Sequence, residues 1–304
     1  MTAERFGEPG GGISQITAAS APRPGKRRNE DLVGVSDSAA WVLDGASGAG
    51  EAQCCDRGAA WYVRRLSAAL GDALTAEGDL EGALATAIAS VAAEHRAVCP
   101  RLDESTGPSA TVTVVRQREG QIHWLILGDS CLLVETDQGV SHHSDKRLAE
   151  VAPELRREIR EALRSGEGYG SEAHLRRVHE LREQERAVRN KDGGYWIAAY
   201  EPGAAGHSLA GTYPVGESRG EARRLALLTD GLERAVSTFR IWPLWSDLLR
   251  ALSDDGPASC ILRIRAAELA DPEGVDRPRT SDSDDASGIV WQLVRFGASL
   301  PDGL

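Results

Sequence analysis

The sequence predicts an α+β fold in which antiparallel sheets form a sandwich that is flanked by helices. Short apolar runs bounded by turn-forming residues predict strands, and these strands fall into two groups along the chain. Segments in which apolar residues recur at helical spacing lie between the two groups and after them. The regular alternation of strand and helix that a parallel sheet requires is missing, and no internal repeat of fixed period is visible.

The first half of the chain predicts strands around a pair of helices. A strand precedes a break rich in proline and glycine, and an Asp-Ser turn then joins two apolar runs into a hairpin. Two segments with apolar residues at helical spacing follow, and three further runs separated by turns predict an antiparallel meander. The predicted strands are 13–20, 32–36, 40–43, 110–115, 122–127 and 131–135, and the predicted helices are 53–70 and 80–98.

The second half begins with a charged stretch, residues 146–191, in which two helical patterns separated by a glycine-rich break predict an inserted helical pair. Strands are then predicted at 195–200, 225–228 and 289–294, and helices at 242–252 and 258–270. One domain over residues 13–296 is predicted, with a flexible lead-in at 1–12 and a C-terminal tail at 297–304.

Composition excludes several classes of protein. The chain has 304 residues, 41% of them hydrophobic, which suffices for a substantial core. A formal charge of −11 argues against a nucleic-acid partner. No apolar run approaches the length of a membrane span and no signal-peptide pattern begins the chain, so we expect a cytoplasmic protein without a membrane partner. The five cysteines lack paired C-x-x-C spacing, which predicts buried thiols and neither a zinc site nor a disulfide framework. Composition leaves the oligomeric state open.

Acidic residues recur where predicted strands give way to turns. A single Asp in such a place is an ordinary turn residue, but carboxylates at several strand ends on one edge of a sheet can converge on one point. Five short segments have this character: Asn29-Glu30-Asp31, Asp44-Gly45, Gly128-Asp129-Ser130, Thr229-Asp230-Gly231 and Asp284-Asp285.

Such a cluster suits divalent metal. Mg²⁺ and Mn²⁺ prefer oxygen ligands, and the glycine after Asp44 lets a backbone carbonyl approach an ion. Two neighbouring ions can activate a water and stabilise charge during in-line attack on phosphorus, so no nucleophilic side chain is needed. The chain has no G-x-S-x-G elbow, H-E-x-x-H motif or phosphate-binding P-loop that would favour another chemistry.

These segments, together with Gly107-Pro108-Ser109-Ala110-Thr111 before a strand, come in the order found in metal-dependent protein phosphatases of type 2C, including bacterial serine/threonine phosphatases. The sequence resembles that family from about Gly25 to Val294. The resemblance implies a four-layer α-β-β-α sandwich of two antiparallel sheets flanked by helices, with the helical insert at about 146–191. It also implies two Mn or Mg ions and a third, weaker metal site.

The resemblance assigns a role to each acidic position. Asp44 would bridge the two ions, and Gly45 would lend its carbonyl to the second. Glu30 would join that second ion, and Asp31 would hold metal-bound water, so that Asp44 and Asp31 are the catalytic candidates. The remaining metal ligands would be Asp230 and Asp284 at the first ion and Asp129 at the third site, with Asp285 as a neighbour rather than a ligand.

Two departures from the family affect the chemistry. The family's phosphate-binding Arg, five residues before the first aspartate, is replaced by Lys26, which Arg27 and Arg28 follow; Lys binds phosphate as a point charge without the bidentate fork of Arg. We expect one of these three residues to bind the substrate phosphate. The His that eukaryotic members carry after Asp-Gly is missing, so a metal-bound water or another residue would protonate the leaving group.

The insert coincides with the family's variable substrate-facing segment. It contains 12 Lys and Arg against 9 Asp and Glu, a balance that could steer a phosphorylated partner, while the simpler interpretation is a solvated helical pair that braces the fold. Its most suggestive positions are Arg186, Arg189 and Asn190. The loop histidines, His142, His143 and His207, are expected to be solvated rather than catalytic.

Three hypotheses follow from the sequence. The leading one is a phosphoprotein phosphatase acting on phosphoserine and phosphothreonine by attack of a water that bridges two Mn or Mg ions. A second keeps the same site for a small-molecule phosphoester. A third is a regulator with this fold that binds phosphorylated proteins without turnover; it would be favoured by loss of a principal metal ligand, and none is lost.

Overall fold

Two antiparallel sheets pack face to face, and helices cover the outer face of each. The computed structural model describes residues 2–6, 15–46, 57–99 and 107–293. Its strands are β1 (Thr2–Phe6), β2 (Gln15–Ala21), β3 (Asp31–Val35), β4 (Ala39–Ala46), β5 (Ser109–Arg118), β6 (Gln121–Leu127), β7 (Cys131–Thr136), β8 (Gly139–Ser144), β9 (Leu209–Pro214), β10 (Arg224–Leu228) and β11 (Ala286–Gln292). Its helices are α1 (Ala59–Leu74), α2 (Leu80–Arg96), α3 (Pro153–Arg164), α4 (Glu172–Val188), α5 (Asp230–Ser237), α6 (Trp245–Asp254) and α7 (Pro257–Ala270).

The strand order defines a six-stranded sheet, β1-β2-β11-β10-β7-β8, and a five-stranded sheet, β3-β4-β5-β6-β9. Every neighbouring pair is antiparallel. One apolar core fills the space between the sheets, with Trp291 and Ile126 among its buried residues. A second core joins α1 and α2 to the five-stranded sheet, and a third joins α5, α6 and α7 to the six-stranded sheet. The predicted four-layer sandwich is confirmed.

The predicted hairpin, first helical pair and helical insert are confirmed. Strands β3 and β4 pair directly, and α1 packs on α2. Helices α3 and α4 enclose a small core of their own, separate from the other three cores. Its buried residues are Leu155, Ile159, Leu163, Val178 and Leu181, at the helical spacing noted in the sequence.

The predicted meander is wrong at its third strand. Strand β6 pairs with β5, but β7 pairs with β8 and β10 in the other sheet. The chain crosses between the sheets at Gly128, whose φ of +88° is in the left-handed region that glycine adopts without strain. A Cβ there would lie 2.9 Å from the Thr111 side chain. The crossing therefore places Asp129 at the seam between the two sheets.

Four other elements differ from the prediction. Residues 195–200 are buried against the α1 and α2 layer but form only isolated bridges, so their apolar run reflects packing and not strand pairing. Strands β8 and β9 were not predicted because their residues are largely polar or exposed. Helix α5 follows β10 directly, where the sequence indicates only a turn.

The lead-in differs as well, because β1 pairs antiparallel with β2 along an edge that would otherwise have unpaired backbone groups. Residues 7–14, the start of the predicted helix at 53–56 and the tail at 297–304 lie outside the described residues. Within the described ranges, no helix combines the length and apolarity needed to cross a membrane.

Candidate functional site

The acidic segments converge at one end of the sandwich. In the β3–β4 hairpin Asp31 lies opposite Asp44, and Asp44 lies opposite Thr111 of β5. Asp129 sits in the crossing after β6, Asp230 is the first residue of α5 after β10, and Asp284 precedes β11. Both sheets thus contribute carboxylates to a single cleft.

The carboxylates of the cleft lie close enough to raise one another's pKa values. Burial, followed by the negative charges of Asp31, Asp230, Asp284 and Asp129, holds the pKa of Asp44 well above its usual range. Burial and the charge of Asp230 raise the pKa of Asp129 to about 7. Burial and Asp284 raise the pKa of Asp230 to about 6. Like charges this close disfavour ionisation unless a cation is present.

Asp31 is buried and held by the six-stranded sheet. The Thr229 hydroxyl donates to Asp31 Oδ2 at 2.8 Å, and the Ser287 backbone N–H donates to Thr229 Oγ1 at 2.9 Å. Asp31 Oδ1 is buried and has no hydrogen-bond partner among the described residues. An orphaned buried carboxylate oxygen is costly, so it is a natural acceptor for a water or cation in the cleft.

Asp285 organises the loop that carries Glu30. Its Oδ1 accepts the backbone N–H of Arg23 at 2.8 Å, and its Oδ2 accepts that of Glu30 at 2.6 Å. Both carboxylate oxygens therefore accept backbone hydrogen bonds, which agrees with the expectation that Asp285 is a neighbour of the metal ligands and not itself a ligand. Gly231 packs against this strand end so closely that a Cβ would lie 1.9 Å from the Asp285 carbonyl oxygen.

Gly45 places its backbone within the cleft. Its N–H donates to the Glu30 carbonyl at 3.0 Å. A Cβ at this position would lie 2.6 Å from the same oxygen and 2.9 Å from Val63 Cγ1. Only glycine therefore allows the end of β4 to pack between the Glu30 loop and α1.

Arg234 is a site residue that sequence reasoning missed. Its Nη2 donates to Asp284 Oδ2 at 2.6 Å and lies 3.6 Å from Asp230 Oδ2. The side chain is only 12% exposed, and the negative charges of Asp230 and Asp284 raise the guanidinium pKa. The sequence offered one signal, because Arg234 comes four residues after Asp230. Residues at this spacing share a helix face, but only if a helix begins at Asp230.

The basic residues before β3 are not equivalent. Lys26 Nζ forms an ion pair with Glu30 Oε2 at 2.7 Å, which places the ammonium beside a predicted metal ligand. Arg27 and Arg28 are exposed. The structure thus brings Lys26, and not the two arginines, into contact with the acidic site.

The suggestive positions of the insert have structural partners. Arg186 pairs with Glu183 on its own helix. Arg189 is buried and donates to Ser109 Oγ at 3.3 Å, and Asn190 both donates to and accepts from the backbone of Ile197. These contacts attach the end of the insert to the sandwich.

The three loop histidines contact aromatic rings, and two of them, His142 and His143, are partly buried. His207 stacks on Trp196 with ring centroids 3.3 Å apart, and His142 stacks on Trp245 at 4.1 Å. His143 packs against Trp124 and shares a hydrogen bond of 2.8 Å with the Tyr213 hydroxyl. The prediction of solvated side chains is wrong for His142 and His143, because strand β8 packs their rings against aromatic neighbours, whereas His207 is exposed as predicted.

The donor set of the cleft fits hard divalent cations. Its side-chain donors are carboxylates, which Mg²⁺ and Mn²⁺ prefer. Asp31 Oδ1 is buried without a hydrogen-bond partner among the described residues, and Gly45 lets the backbone pack closely at the cleft. Bound cations would also relieve the repulsion that raises the pKa values of Asp44, Asp129 and Asp230.

Comparison with known proteins identifies the family. The model of the family "Protein phosphatase 2C" matches residues 23–271. The chain is similar to the Mycobacterium tuberculosis serine/threonine phosphatase PstP/Ppp, with 18% identity and a TM-score of 0.55 over 93% of this chain and 100% of that one.

Two further solved structures share the fold. The catalytic domain of PstP in complex with 2 manganese ions has 18% identity and a TM-score of 0.52, over 93% of this chain and 99% of that one. PppA, a key regulatory component of T6SS in Pseudomonas aeruginosa, has 16% identity and a TM-score of 0.53, over 92% and 97%. A search of curated protein sequences finds no match. Because the family model covers most of the sequence and agrees with the motif order and the sandwich, this chain belongs to the protein phosphatase 2C family.

Proposed function

We propose that this chain is a metal-dependent phosphoprotein phosphatase that hydrolyses phosphoserine and phosphothreonine with two Mn or Mg ions. The observation that carries the proposal is the convergence of carboxylates from both sheets, with pKa values raised by burial and by one another. Membership of the protein phosphatase 2C family supports it, and so does the two-manganese complex of the similar PstP domain.

The chain's own residues would divide the work by position. Asp44 pairs with Asp31 in the hairpin and feels the charge of Asp230, which supports a role in bridging two ions, with the Gly45 carbonyl and Glu30 on one side. Asp230 and Asp284 would hold the ion on the other side. Asp129, at the seam between the sheets, would serve a third, weaker site. Such ions supply an activated water and charge neutralisation at phosphorus.

Asp31 is the proposed positioning residue for the attacking water. Thr229 fixes one of its oxygens, so the other, Oδ1, keeps one orientation in the cleft. A fixed acceptor can hold a water in line for attack at little entropic cost. Lys26, beside Glu30, is the proposed contact for the substrate phosphate; Arg27 and Arg28 are exposed and would act through longer-range attraction.

Substitution of the bridging carboxylate tests the proposal. We expect Asp44→Asn to abolish Mn-dependent hydrolysis of an aryl phosphate and of phosphopeptides, because the amide removes the charge that two ions share. The matched control is Asp37→Asn at the exposed turn of the same hairpin, which should keep full activity. Circular dichroism checks that both variants fold. Full activity in Asp44→Asn would overturn the proposal.

Substrate class is tested with the same enzyme. We expect faster turnover of phosphopeptides than of phosphorylated metabolites, and the opposite order would favour the small-phosphoester alternative. Absence of turnover with Mn²⁺ or Mg²⁺ at any pH would favour a phosphoprotein-binding regulator. We also propose that residues 13–296 act as one catalytic domain and that the protein works in the cytoplasm; cell fractionation tests the location.

A further inference from the structure

Beside the acidic cleft, a thiol, an imidazole and a carboxylate meet. Cys131 begins β7, His142 lies on β8, and Glu233 lies in the first turn of α5. Their sulfur, ring nitrogen and carboxylate oxygen lie within 4.8 Å of one another. Cys131 is fully buried, and the side chains of His142 and Glu233 are 15% and 20% exposed.

Hydrogen bonding does not account for this cluster. His142 Nε2 is buried and has no hydrogen-bond partner among the described residues. The nearest carboxylate oxygen, Glu233 Oε1, is 3.6 Å away, which is too long for a hydrogen bond. The imidazole is stacked on Trp245 at an interplanar angle of 9°, so rotation of the ring out of that plane would lose the contact.

The three ligand types are those of zinc sites. Thiolate, imidazole and carboxylate are the protein donors that Zn²⁺ takes, usually with tetrahedral geometry. Tetrahedral bond lengths place neighbouring ligand atoms about 3.4 to 3.6 Å apart, which the His142 to Glu233 separation already matches. The widest separation, at most 4.8 Å, closes with a side-chain movement of about 1 Å.

Charge also balances at this position. A divalent cation held by one thiolate and one carboxylate is neutralised by its own ligands, which suits a buried site.

We propose that Cys131, His142 and Glu233 bind a zinc-class ion at a site separate from the oxygen-ligand cleft. Cys131 is two residues after Asp129, and Glu233 is three residues after Asp230. An ion held there ties the start of β7 to the first turn of α5, the two backbone segments that position these carboxylates. The ligands come from three elements distant in sequence, which is why cysteine spacing does not reveal them.

Cobalt substitution tests the site independently of phosphatase activity. The full chain is titrated with Co²⁺ in excess Mg²⁺, which fills oxygen sites but does not compete for thiolate. We expect a near-ultraviolet thiolate-to-cobalt charge-transfer band that saturates at one ion per chain and disappears when Zn²⁺ is added. Cys131→Ser should abolish the band, and His142→Gln, which keeps the thiol, should weaken Co²⁺ binding at least 10-fold.

The controls use the other thiols. Cys260→Ser alters a buried thiol in the same apolar core as Cys131 and should leave the band unchanged, as should the double variant Cys54→Ser, Cys55→Ser. Thermal unfolding checks that each variant is folded. Absence of the band in the wild-type chain, or its persistence in Cys131→Ser, would overturn the proposal, and so would loss of the band in a folded Cys260→Ser chain.

Discussion

Arg234 competes with metal for the carboxylates of the cleft, and its removal should tighten metal binding. The guanidinium contacts Asp284 Oδ2 at 2.6 Å and lies 3.6 Å from Asp230 Oδ2. Both carboxylates are proposed ligands of the first ion. The substitution Arg234→Gln removes the positive charge and leaves a shorter, uncharged polar side chain.

The geometry sets the size of the effect. An ion about 2.1 Å from each carboxylate oxygen would lie roughly 5 Å from the guanidinium. Even with the dielectric constant of bulk water, repulsion between a divalent ion and one positive charge at that distance is about 1.7 kcal/mol. Arg234→Gln should therefore bind Mn²⁺ at least about 15-fold more tightly.

In the absence of metal, the same substitution should destabilise the protein. Without Arg234, the carboxylates of Asp230 and Asp284 lose the cation that compensates them, so metal-free Arg234→Gln should unfold at a lower temperature than wild type. Added Mn²⁺ should then raise its unfolding temperature by more than it raises that of wild type, because binding to the folded state stabilises it.

Electron paramagnetic resonance of free Mn²⁺ measures the affinity, and calorimetry measures the unfolding temperature. Arg263→Gln is the matched control, because Arg263 is exposed and pairs with Asp255 at the surface; it should leave Mn²⁺ affinity unchanged. Equal or weaker Mn²⁺ binding by folded Arg234→Gln would refute the competition argument.

Three more predictions address the same cleft. The pKa values of Asp129 (about 7) and Asp230 (about 6) are raised, so the folded metal-free chain binds more protons than the unfolded chain above about pH 4. This extra proton binding stabilises the fold at low pH, and the stabilisation is lost as pH rises to about 7. Urea unfolding should show that the free energy of unfolding declines over this pH range relative to a chain with both aspartates changed to Asn, and Mn²⁺ affinity should rise over the same range. A difference in unfolding free energy between the two chains that does not change with pH would contradict the prediction. Thr229→Val removes two buried hydrogen bonds and should lower the free energy of unfolding by about 2 to 4 kcal/mol, whereas Thr113→Val, whose buried hydroxyl has no partner among the described residues, should change it little; equal effects would refute the assignment. Gly45→Ala should reduce Mn-dependent activity strongly, because its methyl group would meet a carbonyl oxygen at 2.6 Å; activity assays at saturating Mn²⁺ check this, and wild-type activity would show that β4 can shift freely.

The acidic segments could be singled out from the sequence because their signal is local. An Asp at the end of an apolar run is visible without knowledge of pairing, and the order of the motifs indicated that Asp44 and Asp230 meet. The sheet to which a strand belongs depends on pairing with strands distant in sequence, so the pattern of a single segment does not reveal it. The Gly128 turn therefore suggested a meander, although the chain crosses there to the other sheet.

The residues that the sequence pattern did not reveal depend on elements that it did not predict. Arg234 and Glu233 acquire their roles from helix α5, which begins at Asp230, whereas a Thr-Asp-Gly segment is equally typical of a turn. Once the helix is known, the spacing of four residues places Arg234 beside Asp230. Cys131 and His142 come together through the pairing of β7 with β8, and β8 has too little apolar character to be predicted from its sequence pattern.

The hydrogen bond from Thr229 to Asp31 joins residues that are 198 positions apart, and it links the two sheets. Forming it requires closure of a very long loop, so the cleft can be completed only after the sheets have docked. Divalent cations would then act late in folding, where they slow unfolding and leave the early steps unchanged. In a nascent chain, the acidic cleft can assemble only after the C-terminal strand β11 has been synthesised, because Ser287 of that strand anchors Thr229.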